Sequence, residues 1–191
     1  MTVHNFALAA SADDALEAGG TVTVDGGSLA VNASTRYAGF SFPTAADPIA
    51  QGTTITSATI TYYCTNTSAD DPDQTWKGHK VTNSEQFTTG ASNISNRYSS
   101  APTTASVTDT ATGVGTSGRS INVTTIVQEL INQAGWTSSS RITLIAKGNG
   151  SGANATIYSW DSAGTEAVLA IDYSTGPARP VLTRHYLDMM S

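Results

Sequence analysis

Apolar and polar positions along this chain alternate in short bursts rather than in long helical stretches. Runs such as "HNFALAA", "GTVTV", "SLAVN", "RYAGFSF", "TITSATITYYC" and "TWKGHKV" are separated by clusters of Gly, Pro, Asn and Asp. "TASVTDT", "SINV", "RITLIAKG", "ATIYSW" and "EAVLAIDY" continue the habit to residue 173. Period-two runs bounded by turn residues predict strands, and many short ones at close spacing predict a sandwich or barrel. "DGG" between the second and third runs reads as a hairpin turn. The first and last runs are expected to pair, or to be neighbours across the sandwich.

One segment has a different period. In "NVTTIVQELINQAGW" the residues Val123, Ile126, Val127, Leu130 and Ile131 follow three-and-four spacing, which predicts a helix over about residues 125–134 that seals an open end of the sandwich. Thr124 or Thr125 can cap its start, with Gln128 completing a capping box, and Gly135 stands where a left-handed C-terminal cap is needed. Trp136 is expected to pack under this helix with its indole N–H on a backbone carbonyl. The stretch from Asn83 to Gly118 is polar, but a structureless loop of that length is improbable in a compact domain, so a strand is expected near residues 105–110.

Composition supports a mostly β chain. Only 13% of its 191 residues are charged, and Ser, Thr, Asn, Gly and Ala dominate, which favours strands and turns over helices. This length suits one domain. Residues 1–175 are read as that domain and residues 176–191 as an extended C-terminal docking tail. A net charge of -6 and nine scattered basic residues argue against nucleic acid as a partner. No apolar run approaches the roughly 20 residues that span a bilayer, so no membrane contact is expected. The start "MTVHNFALAASADD" lacks the pattern of a secretory signal, which implies synthesis in the cytoplasm without export by the usual route. Asn-x-Ser/Thr triplets such as those at Asn32 and Asn122 are therefore not read as glycan sites. Cys64, the single cysteine, excludes an internal disulfide and is expected to be a small buried residue.

"RYAGFSFPTAADPIAQGTTITSATITYY", "SNRYSSAPTTASV", "INVTTIVQELINQAGWTSSSRITLIAKGNGSG", "ATIYSWDS" and "AVLAIDY" together resemble a family of bacterial and phage-borne jelly-roll modules. These are similar to carbohydrate-binding modules of cell-surface proteins and some virion proteins. The resemblance covers roughly residues 36–173 and is most specific in the helix closed by "GW". It departs from the family pattern at Ser41-Phe42, where an Arg often precedes the Phe, and at Thr108-Asp109, where a Trp is common. It implies an all-β jelly-roll β-sandwich with one short helix.

The candidate chemistry follows from that expectation. Related jelly-rolls commonly hold a structural calcium near their chain ends, and Asp13, Asp14 and Glu17, completed by Asp172, are candidate oxygen ligands; the alternative is a solvated acidic turn. Aromatic faces stack on pyranose rings, which makes Trp76, Tyr98, Tyr158 and Trp160 candidate glycan platforms. No pair of acids is selected by glycosidase-like spacing. His4, His79 and His185 lack metal-ligand spacing, and no nucleophile elbow or phosphate loop occurs, so no catalytic residues are assigned.

A surface-type jelly-roll made without an export signal fits a tailed-phage virion, which assembles in the cytoplasm. The expected role is a non-enzymatic structural component, such as a capsid decoration, neck or tail-fibre protein, with host glycans as partners of its outward face. The alternatives are a glycan-binding module not tied to a particle and, more remotely, an esterase or glycosidase on the same fold. Homo-oligomerisation is the default for a virion part. The tail carries Pro180, Val181, Leu182, Tyr186, Leu187, Met189 and Met190. Its prolines disfavour a further central strand, and its apolar side chains need a surface, expected on a partner subunit rather than on its own sandwich.

Overall fold

A computed structural model describes residues 3–65, 73–110, 116, 118–150, 155–162 and 165–174. The expected docking tail, residues 176–191, lies outside the described residues. The elements in chain order are β1 (Val3–Ala7), a 3-10 turn (Ser11–Asp13), β2 (Asp14–Ala18), β3 (Thr21–Thr23), β4 (Ser28–Ala30), β5 (Arg36–Pro43) and β6 (Ile55–Tyr63). They continue with β7 (Asp73–His79), α1 (Asn93–Ser100), β8 (Pro102–Thr110), β9 (Gly118–Asn122), α2 (Thr124–Asn132), β10 (Arg141–Gly148), β11 (Thr156–Tyr158) and β12 (Val168–Tyr173). Each of the alternating runs contains one strand.

The strands form an all-β sandwich of two antiparallel sheets, ordered β1-β12-β6-β9 and β3-β2-β5-β10-β7-β8, with β11 and β4 paired separately. Numbering β1, β5, β6, β7, β8, β9, β10 and β12 as first to eighth gives one sheet ordered first, eighth, third, sixth. The other is ordered second, seventh, fourth, fifth. Successive strands thus switch sheets, except the fourth and fifth, which are neighbours in one sheet, in the double Greek-key winding of a jelly roll, with β2 and β3 added beyond β5. The first and last strands do pair, from Val3 opposite Asp172 to Ala7 opposite Val168.

Alternation fills the space between the sheets. Ala58, Ile60 and Tyr62 of β6 face Phe40 and Phe42 of β5, Trp76 of β7 and Leu144 of β10 in one cluster. The apolar stripe of α2, Ile126, Val127, Leu130 and Ile131, is buried in the same cluster. This helix packs on β6 from one sheet and on β7 and β8 from the other, closing the space between them as expected. It comes that close because Gly78 has no side chain. A Cβ there would stand 2.9 Å from Ile126 and Thr103 side-chain atoms and 3.0 Å from Leu130.

Five local expectations need correction. The N-cap of α2 is Val123 with no side-chain cap. Thr124 Oγ1 instead accepts from Ala58 N–H, and Gln128 Oε1 from Ile55 N–H, so both fasten the helix to β6. "DGG" is not a hairpin turn, since β3 pairs with β2 and β4 with β11. The acidic stretch at 14–18 is strand β2, not a turn. A second helix, α1, precedes β8. Gly135 is not the cap of α2: the helix ends at Asn132 with Gln133 extended, and Gly135, at φ +84°, lies in the turn closed by Trp136 N–H on the Gln133 carbonyl. Trp136 behaves as expected, its indole N–H donating to the Ile49 carbonyl at 2.9 Å. Cys64 is buried.

β2 and α1 escape pattern reading for one shared reason. "NISNRYSS" is a weak helix former, and α1 has no capping side chain of its own. Its first amides, of Ile94 and Ser95, donate to Glu17 Oε2 of β2 at 2.9 and 2.8 Å. A carboxylate from a distant strand thus does the work of an N-cap, and the same bonds make burial of Glu17 tolerable. Beneath α1, on the outer side of the six-stranded sheet, Ala15, Val22, Phe87, Ile94 and Ile145 form a second small core.

Candidate functional site

Strand register sets out the outer face of the six-stranded sheet. Glu17 lies opposite Tyr37, Tyr37 opposite Lys147, Lys147 opposite Thr75, and Thr75 opposite Thr108. The next same-face row runs Ala15, Gly39, Ile145, Lys77 and Ser106. α1 roofs the Ala15 and Ile145 part, and Tyr98 hangs from that helix beside Tyr37. The two tyrosines meet edge to face with centroids 5.6 Å apart. Lys77 Nζ stands 5.0 Å from the Tyr98 centroid and Lys147 Nζ 6.0 Å from that of Tyr37.

All four side chains are half-buried, which fixes their bases and leaves polar tips toward solvent. Burial pushes both phenols up, and the Glu17 charge adds to the effect at Tyr37, as Tyr37 does at Tyr98. Both are therefore neutral hydroxyls able to donate and to accept. Neither lysine has a carboxylate partner among the described residues. Beyond the lysines, Thr75 Oγ1 donates to Asn149 Oδ1 at 3.1 Å, and Asn149 Nδ2 donates to Asp73 Oδ1 at 2.6 Å. The face thus offers two aromatic rings, two ammonium groups and a border of hydroxyls and amides.

The four ring candidates do not gather. Trp76 is corrected outright: it is fully buried, stacked on Phe40 with centroids 5.7 Å apart and tilted against Tyr62 at 5.8 Å. No sugar can reach it. Tyr158 is half-buried on β11, and Trp160, 37% exposed, follows it in a turn. Only Tyr98 lies on the outer face. Its partner Tyr37 was missed, although "RYAGFSF" with Ala38, Phe40 and Phe42 inward places Tyr37 outward by alternation.

The proposed calcium ligands also separate. Asp14 shares the Leu16 side of β2, toward the main core, while Glu17 shares the Ala15 side under α1. Asp172 belongs to the other sheet. Asp13 pairs with Arg141 and accepts from Ala9 N–H at 2.9 Å and from Gln86 Nε2 at 2.8 Å. Asp14 accepts from Trp160 N–H at 2.7 Å. Among the described residues no group of three His, Cys, Asp or Glu side chains is placed to hold a metal ion. Asp13, Asp14 and Glu17 are joined to structural partners in three different places, Asp172 stands apart with a buried Oδ1 that has no hydrogen-bond partner among the described residues, and the expected site is not assembled.

Two other polar features lie away from this face. Between the sheets, Gln74 Nε2 donates to Tyr62 Oη at 2.9 Å, Tyr62 donates to Asp109 at 2.8 Å, and Arg119 Nε donates to Asp109 at 3.0 Å. Burial, then the Asp109 charge, pushes the Tyr62 phenol far up, so it serves as a fixed donor. Beside α2 lies an open depression of about 440 Å³ bordered by Lys80, Gln128, Glu129 and Asn132. Glu129 is fully engaged there by Lys80 Nζ at 2.8 Å and by the amides of Thr104 and Ala105, each at 2.9 Å.

A scan against protein-family models gives no match for this chain, and a search of curated proteins gives none.

Proposed function

We propose that this chain is a non-enzymatic jelly-roll component of a tailed-phage virion that meets host-surface glycans through the outer face of its six-stranded sheet. The observation that carries the glycan-binding part is the Tyr37–Tyr98 pair with Lys77 and Lys147 beside it. Aromatic faces with a border of hydroxyl and amide groups suit pyranose rings, which are apolar on one side and rich in hydroxyls at the rim. Engagement of Asp13, Glu17, Asp109 and Glu129 in structural bonds favours a binding role over carboxylate catalysis.

The virion part rests on the sequence: the resemblance to phage-borne modules, the low charge and the apolar stretch Val181–Met190. That stretch is proposed to anchor the module to neighbouring subunits. The test is mass spectrometry of purified particles carrying either the full chain or a chain lacking residues 177–191. The full chain is expected at fixed stoichiometry and the truncated chain is expected to be lost. Absence of the full chain from particles refutes the virion role, and a glycan array then decides whether the chain is a free-standing glycan-binding module.

A further inference from the structure

We propose that Tyr37, Tyr98, Lys77 and Lys147 form a binding site for acidic saccharides, with the tyrosines stacking on sugar rings and the two ammonium groups holding ring carboxylates. The inference rests on the reading of the outer sheet face as a glycan-binding surface and names the class of glycan.

The argument begins with charge. The chain carries a net charge of -6, yet this patch brings together two lysines with no carboxylate partner among the described residues. Two acids of this sheet face are engaged elsewhere. Glu17 is turned under α1 and held by the Ile94 and Ser95 amides, and Asp73 accepts from Asn149. The ammonium groups instead rest over tyrosine rings at 5.0 and 6.0 Å. Such contacts at half-exposed sites are weaker than a charge-assisted hydrogen bond to a carboxylate. An arriving carboxylate therefore draws each lysine off its ring and leaves the ring face open to the sugar that bears it.

Placement supports the pairing. β10 and β7 are adjacent, with Lys147 opposite Thr75 and Ile145 opposite Lys77, so the two lysines are diagonal neighbours about 7–8 Å apart at their backbones. Both can reach one uronate carboxylate, or the carboxylates of adjacent sugars in a chain. The tyrosines sit on the β5 and α1 side of the same patch, where their rings brace each other. Thr75, Thr108 and Asn149 border it with hydroxyl and amide groups for sugar hydroxyls.

The test is calorimetric titration with tetrasaccharides of galacturonate, guluronate, glucuronate and sialate, each alongside its carboxyl-reduced counterpart, and with short polyglutamate. At least one acidic tetrasaccharide is expected to bind, its reduced form to bind at least tenfold more weakly, and raised salt to weaken the acidic interaction. The double variant Lys77→Gln/Lys147→Gln, with an unchanged melting temperature as fold control, is expected to lose at least tenfold. Tyr98→Ala is expected to lose affinity for the saccharide. Equal binding of reduced and acidic forms overturns the acidic assignment and leaves the glycan-face reading standing. Equal binding of polyglutamate overturns the saccharide assignment and leaves only a charged patch. No binding by any saccharide overturns both.

Discussion

Asp14 offers a direct test of how burial governs this protein's response to pH. Its side chain is 1% exposed, and burial, opposed in part by the Trp160 amide and reinforced by the charges of Asp161 and Asp13, pushes its carboxyl from 3.8 up to about 7. Between these values the native state keeps a proton that the unfolded chain has released. Its contribution to stability is therefore full below about pH 4, declines as pH rises, and is gone above about pH 7. At about 1.4 kcal/mol per pH unit, the whole effect is on the order of 4 kcal/mol. Asp14→Asn removes the charge, keeps an oxygen for the Trp160 N–H, and places its new donor beside Asp13 and Asp161. Urea denaturation of both proteins at pH 4.5 and pH 8 should show near-equal stability at the lower pH. The variant should lead at the higher pH, the gap widening by about 3 kcal/mol. His79, lowered to about 4 by burial and then by Arg97, acts with the opposite sign, costing stability as pH falls below 6.5. It is common to both proteins and cancels in the comparison. Parallel pH profiles, or a variant less stable than the parent at pH 8, would refute the reasoning.

Two further substitutions probe the sheet and its roof. Trp76→Ala should cost about 3–5 kcal/mol in chemical denaturation, because it empties a fully buried aromatic site; a cost below about 1 kcal/mol would mean that the ring is not packed between the sheets. Glu17→Ala should cost about 1–2 kcal/mol through loss of the bonds that start α1, with faster hydrogen exchange at Ile94 and Ser95, whereas Glu17→Gln should retain much of the protection.

The strands and α2 were legible because each carries its own period. In "TITSATITYYC" and "RITLIAKG" the alternation is written in residues that also prefer strands, and in "IVQELIN" the three-and-four spacing stands out. β2 was hidden because Asp14 and Glu17 are read as solvated acids, and what keeps them buried comes from elsewhere: the Trp160 amide, 146 residues away, and the amides of α1. α1 was hidden for the reciprocal reason. The inward place of Trp76 was legible as well. Its neighbours Thr75 and Lys77 are polar, and in an alternating strand polar neighbours place the residue between them inward. The same alternation carries Tyr37 outward. The candidate site was half visible, in Tyr98, because the register that sets Lys147 beside Tyr37 joins strands about 110 residues apart.

The pairing of β1 with β12 fixes the order in which this molecule can be completed during synthesis. β1 leaves the ribosome before the other strands of the sandwich, yet its neighbour in the sheet, β12, begins at Val168. At about 5–20 residues per second, the intervening chain takes on the order of ten to thirty seconds to appear. Through that interval the backbone of β1, which carries the core residue Phe6, has no strand to pair with. The nascent chain therefore waits with one edge open until nearly all of the sandwich has been made.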